Sequence, residues 1–340
     1  MRKMRILVLM HQSLVPPDSP DDLPPEQFML CKSEYDVMAT LYNMGHEPEQ
    51  LGVYSDLGII RDTIDEFKPH VIFNMLEEFH GEPLFDQHVV SYLELLRQPY
   101  TGCNPRGLTL AHDKALSKKI CAYHRIPVPA FAVFPRRRKV RRPRHLDFPL
   151  IVKSLTLEGS VGIAHASLVQ DDQKLKERVE FIHEQIGTDA IAEQFIDGRE
   201  LYVGVLGNQR LMVFPPWELV FRTKPETTPF IATGKIKWDN SYRQRLGVTT
   251  RGARHLSEEV LRLLPRLARR VYRALDLNGY ARLDLRLTPT GQLYLLEANP
   301  NPDISYGEDF AESAEAIGLD YPTLLQRIMN LGRQFRRGRA

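Results

Sequence analysis

The stretch "YARLDLRLTPTGQLYLLEANPNPDIS", Tyr280 to Ser305, decides how this chain is read. Two alternating runs flank Thr290-Gly291, and Gly at the second place of a two-residue loop is a common hairpin turn. That loop sets Pro289 opposite Gln292. Carried along the strands, the register places Asp284 opposite Glu297 and Arg282 opposite Asn299. Side chains alternate across a strand, so these four share one face. The other face is Leu283, Leu285, Leu287, Tyr294, Leu296 and Ala298, a core surface. Opposed carboxylates repel unless a cation lies between them. Asp284, Glu297 and Asn299 offer the hard oxygen ligands that Mg²⁺ takes together with nucleotide phosphates. The competing reading is a surface salt-bridge cluster with Arg282 and Arg286. A shift of one residue in register would separate the two carboxylates.

Upstream, "IVKSLTLEGSVGIAH" ends a buried strand on Lys153 and continues into Glu158, Gly159, Ser160 and Gly162. Gly turns backbone N–H groups toward a phosphate, Ser160 adds a hydroxyl donor, and Lys153 would neutralise charge. A plain turn is the alternative, since no helix follows directly as in a Walker or dinucleotide loop. In "AEQFIDGREL", Glu200 is placed to take ribose hydroxyls, and Glu193 and Gln194 to present backbone groups to an adenine edge. A hairpin with exposed acids is the alternative.

Strands at "MRILVLM" and "HVIFNML" alternate with helices at "SEYDVMATLYNMG" and "LFDQHVVSYLELLRQ", the pattern of a parallel α/β layer. A break at "PYTGCNP" ends this unit. The expected division is 1–102, 103–189 and 190–340. The middle unit holds helices over 113–125 and from Asp171 or Asp172 to Gly187. In the third, strands meet at Gly198, a tight turn falls at Gly207-Asn208, and Pro265 interrupts a long amphipathic helix.

The chain has 340 residues, 43% hydrophobic and 26% charged, with net charge +2. That is globular composition, and it points to no nucleic acid. No apolar run approaches the ~20 residues of a membrane span. The N-terminal run reads as a first strand, not a signal peptide. Cys31, Cys103 and Cys121 read as free thiols of a reducing, cytoplasmic compartment. "PRRRKVRRPRH", 135–145, is either a polyanion-binding run or a solvated connector.

Taken in order, these elements resemble the ATP-grasp superfamily, and within it the D-alanine–D-alanine ligase group. "VKSLTLEGSVGIAH" is similar to that group's phosphate loop, "AEQFIDGRELYVGVLGN" to its nucleotide hinge, and "ARLDLRL…LYLLEANPNPDIS" to its metal site. The resemblance implies an α/β fold of three domains with ATP held between two antiparallel sheets. It implies two Mg²⁺, with Mn²⁺ able to substitute, on Asp284, Glu297 and Asn299. It implies phosphate contacts from Lys114 and Lys153, and adenine and ribose contacts from Glu193, Gln194, Ile196 and Glu200. Arg282 would stabilise an oxyanion, with Ser160 and Lys237 as further catalytic candidates. The expected activity is ADP-forming ligation of a carboxylate to an amine through an acylphosphate. Amino acids or small peptides are the expected substrates. The alternatives are a genuine D-alanine–D-alanine ligase or a kinase on the same fold. A homodimer is the group's habit.

The substrate half departs from the group. "VLMHQSLVPPDSPDD" lacks its glutamate after the first strand, and Asp303 stands where the group has Gly. His80, Glu82, Asp303 and Ser305 are the candidate substrate residues. The stretch carrying Lys235, Lys237, Trp238, Tyr242, Arg243 and Arg245 suits a larger substrate with an extra negative group, or is a solvated loop.

Overall fold

A computed structural model describes residues 3–157, 164–221 and 248–334. The first sheet is parallel, in the order β2-β1-β3, from β1 (Arg5–His11), β2 (Glu47–Val53) and β3 (Val71–Asn74). Around it lie α1 (Pro25–Phe28), α2 (Lys32–Asn43), α3 (Gly58–Phe67) and α4 (Asp86–Leu95). β1 is buried on both faces, as its unbroken apolar run requires. Two short helices follow, α5 (Pro105–His112) and α6 (Lys114–Tyr123). Asn104 and Asp113 cap them by accepting from the first free backbone N–H groups.

The second sheet has the order β4-β7-β5-β6, from β4 (Phe131–Phe134), β5 (Leu150–Ser154), β6 (Leu168–Val169) and β7 (Ala190–Gln194). With α7 (Asp172–Phe181), capped by Asp171, it closes its own core around Leu150, Val152, Leu175 and Val179. The basic 135–145 run connects β4 to β5. Arg142 donates to Asp172 and lies over the Phe148 ring, so this arginine is structural.

The third sheet runs β11-β10-β8-β12-β13 with β9 beside β8. Its strands are β8 (Arg199–Leu206), β9 (Met212–Val213), β10 (Trp217–Phe221), β11 (Val248–Gly252), β12 (Tyr280–Leu287) and β13 (Leu293–Pro300). The strands on either side of Gly198 thus pair into different sheets rather than with each other. α8 (Glu258–Ala274) packs on this sheet, and α9 (Asp309–Glu315) and α10 (Tyr321–Gln334) close the chain. Pro265 does not interrupt α8, contrary to the sequence expectation. Burial of Val260, Leu264, Leu267, Ala268, Val271 and Tyr272 along one face outweighs the roughly 3 kcal/mol cost of an interior proline. No helix among the described residues is long and apolar enough to cross a membrane.

The hairpin keeps the expected pairs and corrects the path to them. Arg282 faces Asn299 and Asp284 faces Glu297. Near the turn, however, Thr288 pairs with Gln292, so the loop is one residue longer than expected, and Gly291 adopts φ +84°. A bulge after Asp284 restores the register. The core therefore receives Leu293 and Leu295 in place of Tyr294 and Leu296.

Candidate active site

The second and third sheets, bridged by lysines of α6, gather the charged residues. α6 places Lys114 and Lys118 one turn apart on one face. Lys114 Nζ is 3.2 Å from Glu297 and donates to the Leu157 carbonyl at 2.8 Å. Lys118 Nζ is 3.3 Å from Glu193 and donates to the Leu296 carbonyl. Lys153, on β5, reaches the same Glu193 oxygen at 3.2 Å. Glu193 is 1% exposed, so its carboxylate would be untenable without both ammonium groups. Burial lowers the Lys118 pKa below the ordinary lysine range despite Glu193. Burial also works against the Lys153 ammonium, but the carboxylates of Glu193 and Glu297 outweigh it and hold that lysine above the range.

On β12, Arg282 grips Asp284 with two donors, at 2.8 and 3.2 Å. A third donor reaches Asp309 at 3.3 Å, and the guanidinium lies 4.8 Å from the Tyr202 ring centre. Burial opposes the charge, yet the two aspartates raise the Arg282 pKa well above the usual value. On β8, Glu200 accepts from Arg286 at 2.9 Å and from the Tyr202 hydroxyl at 3.0 Å. Arg286, buried on the same face of β12 as Asp284, pairs with Glu200 on the neighbouring β8.

The residues present fit a hard divalent cation. Two carboxylates face each other across one strand pair beside an amide, and the Asn299 Nδ2 is buried with no hydrogen-bond partner. An amide's O and N exchange places on a flip, so that orphaned position would serve an oxygen facing a cation. Asn301, the other Asn before proline, has a structural role. It adopts φ +51°, and its side-chain oxygen accepts from Cys103 N–H at 2.8 Å.

Of the expected nucleotide residues, Lys114, Lys153, Glu193 and Glu200 converge here. Ile196 is buried between β7 and β8, and Gln194 is exposed with its N–H donating to Ala130 at 2.7 Å. Glu158, Gly159, Ser160, Gly162 and Lys237 lie outside the described residues, as does the rest of the 222–247 stretch. Lys118 was missed from the sequence. Its signal is the i,i+4 spacing from Lys114.

The substrate candidates fall into two groups. His80 stacks on Tyr54, and Glu82 closes a tight turn with Phe79. Asp303 accepts from the N–H and hydroxyl of Ser305. Asp303 belongs with an acid the sequence reading passed over, Glu34, which is buried in the first turn of α2. Burial pushes the Glu34 carboxyl up to about 7, and Glu77 and Asp303 add to the rise. The folded protein then holds a proton that the unfolded chain releases near the ordinary glutamate value, so stability falls as pH rises through that window. Glu34→Gln is expected to raise unfolding free energy by about 2–4 kcal/mol at pH 8 and by little at pH 4.5. Urea unfolding at the two pH values measures it, and equal effects at both would exclude the buried acid.

Comparison with known proteins gives this architecture its family. Residues 120–330 match the family described as D-ala D-ala ligase C-terminus. The chain belongs to the D-alanine–D-alanine ligase family. It is 30% identical over 316 residues to the uncharacterized protein y4sG of Sinorhizobium fredii, covering 91% of this chain and 89% of that protein. It is also 30% identical over 317 residues to the D-alanine–D-alanine ligase of Desulforudis audaxviator, covering 91% and 95%. The fold is that of the ATP-complexed D-alanine–D-alanine ligase from Bacillus anthracis, with TM-score 0.73, 22% identity and 97% of each chain covered. The VanG D-Ala:D-Ser ligase from Enterococcus faecalis shares it too, at TM-score 0.70 and 20% identity. The ATP-grasp fold expected from the sequence is the one found.

Proposed function

We propose that this member of the family is an ADP-forming ligase that joins a carboxylate to an amine, with ATP as phosphoryl donor and amino acids or small peptides as substrates. The observation that carries this reading is the convergence of Lys114, Lys153, Arg282, Asp284, Glu297 and Asn299 between two sheets. A substrate carboxylate oxygen attacks the γ-phosphorus, the bond to the β-phosphate oxygen breaks, and ADP leaves. The amine nitrogen then attacks the acyl carbon of the acylphosphate. The C–O bond breaks, inorganic phosphate departs, and the nitrogen loses a proton.

Each residue has a role in that sequence. Lys114 and Lys153 are the cations for the phosphates, and Glu193 with Lys118 keeps Lys153 in place. Arg282, pinned by two aspartates and an aromatic face, is the preorganised donor for an oxyanion. Asp284, Glu297 and Asn299 would hold Mg²⁺, two ions by the family resemblance, with Mn²⁺ as a substitute. Bound there, the metal would neutralise phosphate charge. Ser160 and Lys237 complete the proposed catalytic set. We keep the first unit boundary near residue 102 and move the second from the expected 189/190 to between Gln194 and Arg199, because β7 pairs in the second sheet and β8 in the third. The reducing cytoplasm is the proposed compartment, with a homodimer as the proposed assembly.

The test is phosphate release with candidate carboxylate and amine pairs, with product mass determined. Release that needs both partners supports a ligase; release with one partner and a phosphorylated product indicates a kinase. Relatives named as D-alanine–D-alanine ligases favour a second reading, that this chain is one too. The first loop, without the family's glutamate, opposes it. D-alanine alone, assayed at millimolar concentration, separates the two. Lys153→Ala should weaken ATP binding by about tenfold or more in calorimetry, since a charge-assisted contact worth about 1.5–3 kcal/mol is lost.

A further inference from the structure

The acids around Glu34 have no part in the ATP chemistry. Glu34 lies at the start of α2, Glu77 just beyond the carboxyl end of β3, and Asp303 just beyond β13. Carboxyl ends of parallel strands are where open α/β sheets take ligands. Glu34 is buried, while Glu77 and Asp303 are exposed. Nearby cations are engaged elsewhere. Lys32 donates to Asp36 and to the Tyr306 carbonyl, and Arg282 holds Asp284 and Asp309. Among the described residues no lysine or arginine pairs with Glu34 or Asp303.

An independent observation points to a ligand. Tyr321 is 7% exposed, and its hydroxyl is buried without a hydrogen-bond partner. It lies within electrostatic reach of Asp36, Asp303 and Glu34. A buried hydroxyl left unpaired is costly, and a donor or acceptor arriving from a ligand removes that cost. A metal ion does not suit the place. No three acids or histidines among the described residues are close enough to share one. Negative groups spread more widely than one ion can span suit an extended molecule with separated ammonium groups.

We propose that Glu34, Asp303 and the Tyr321 hydroxyl receive a doubly cationic amino acid, so that the substrate of this ligase is a diamino acid. The inference rests on the ligase reading for the reaction, but not for the binding. It also runs against the acidic substrate that the 235–245 stretch suggests from sequence. An α-ammonium and a side-chain ammonium would meet different carboxylates, with Tyr321 hydrogen-bonded to one of them.

The experiment is calorimetry with Mg²⁺ and a non-hydrolysable ATP analogue. The probes are both enantiomers of ornithine, norvaline and glutamate. Norvaline matches ornithine without its second ammonium. One ornithine enantiomer is expected to bind at least tenfold more tightly than the matching norvaline. Glu34→Gln and Tyr321→Phe should each shrink that ratio several-fold, and urea unfolding checks that both variants fold. Norvaline or glutamate binding as tightly as ornithine would overturn the proposal, as would an unchanged ratio in both variants. Should the ratio hold while no amide product forms from any pair, the diamino site stands and the ligase reading fails.

Discussion

Glu297→Gln is expected to lower kcat by about 10²–10³-fold while the protein remains folded, on the scale of losing one preorganised electrostatic contact to the transition state. The substitution keeps shape and removes one charge. Glu297 faces Asp284 across the strand pair and lies 3.2 Å from Lys114, so it serves both the proposed metal and a phosphate-binding lysine. In the variant, Lys114 loses its counter-charge and the cation loses one anionic ligand. ADP release at saturating ATP and a span of Mg²⁺ concentrations measures the effect. A folded variant with wild-type turnover would remove the hairpin from the catalytic site.

Arg282→Lys should be nearly as severe, with kcat down about 10²–10³-fold and ATP affinity little changed. The charge survives, but the fork does not. Arg282 makes two contacts to Asp284, one to Asp309 and a face contact to Tyr202. An ammonium group cannot reproduce that planar set, so the donor aimed at the developing oxyanion is misplaced. Arg282→Ala would also take a cation from two buried aspartates, at a cost of about 3–5 kcal/mol in stability, which is why lysine is the cleaner probe. Single-turnover ADP formation beside nucleotide titration separates the effects. An equal loss in both would make Arg282 a nucleotide-binding residue.

The hairpin was legible because its polar face carries two opposed acids, and chemistry constrains such a pair more than pattern does. The route was not: the turn is one residue longer than Thr290-Gly291 suggests, and a bulge compensates. A bulge has no signature in "LYLLEAN", where every residue from Leu293 to Leu296 is apolar. β2, "EPEQLGV", was missed altogether. It is an edge strand buried only at Val53, with a proline and two glutamates, and only backbone pairing to β1 makes it a strand. Lys118 was hidden for a related reason. In "KALSKKICAY" two lysines of three are buried, and helical spacing names the face but not the depth. Glu34 reads as an ordinary first-turn acid, the place a helix dipole favours, and only tertiary packing buries it. Pro265 shows the same override in reverse, with a packed face carrying a residue that local preference would expel.

The loop before α5 has a consequence for anyone recombining this protein with its relatives. Gly102 lies so close to Asn301 that a β-carbon there would come within 2.6 Å of its side-chain oxygen. Asn104 donates to Asn278, and Gly279 backs onto Gly102 itself. Positions from three separate stretches of the chain thus form one joint, fastening the end of the first unit to both ends of the β12–β13 hairpin. A chimera cut at residue 102, where the sequence invites a cut, would split that joint between two parents. Donor segments should therefore be exchanged with Gly102, Asn104, Asn278 and Asn301 as a set. Grafts that mix them are expected to express as poorly folded protein, even when each half comes from an active enzyme.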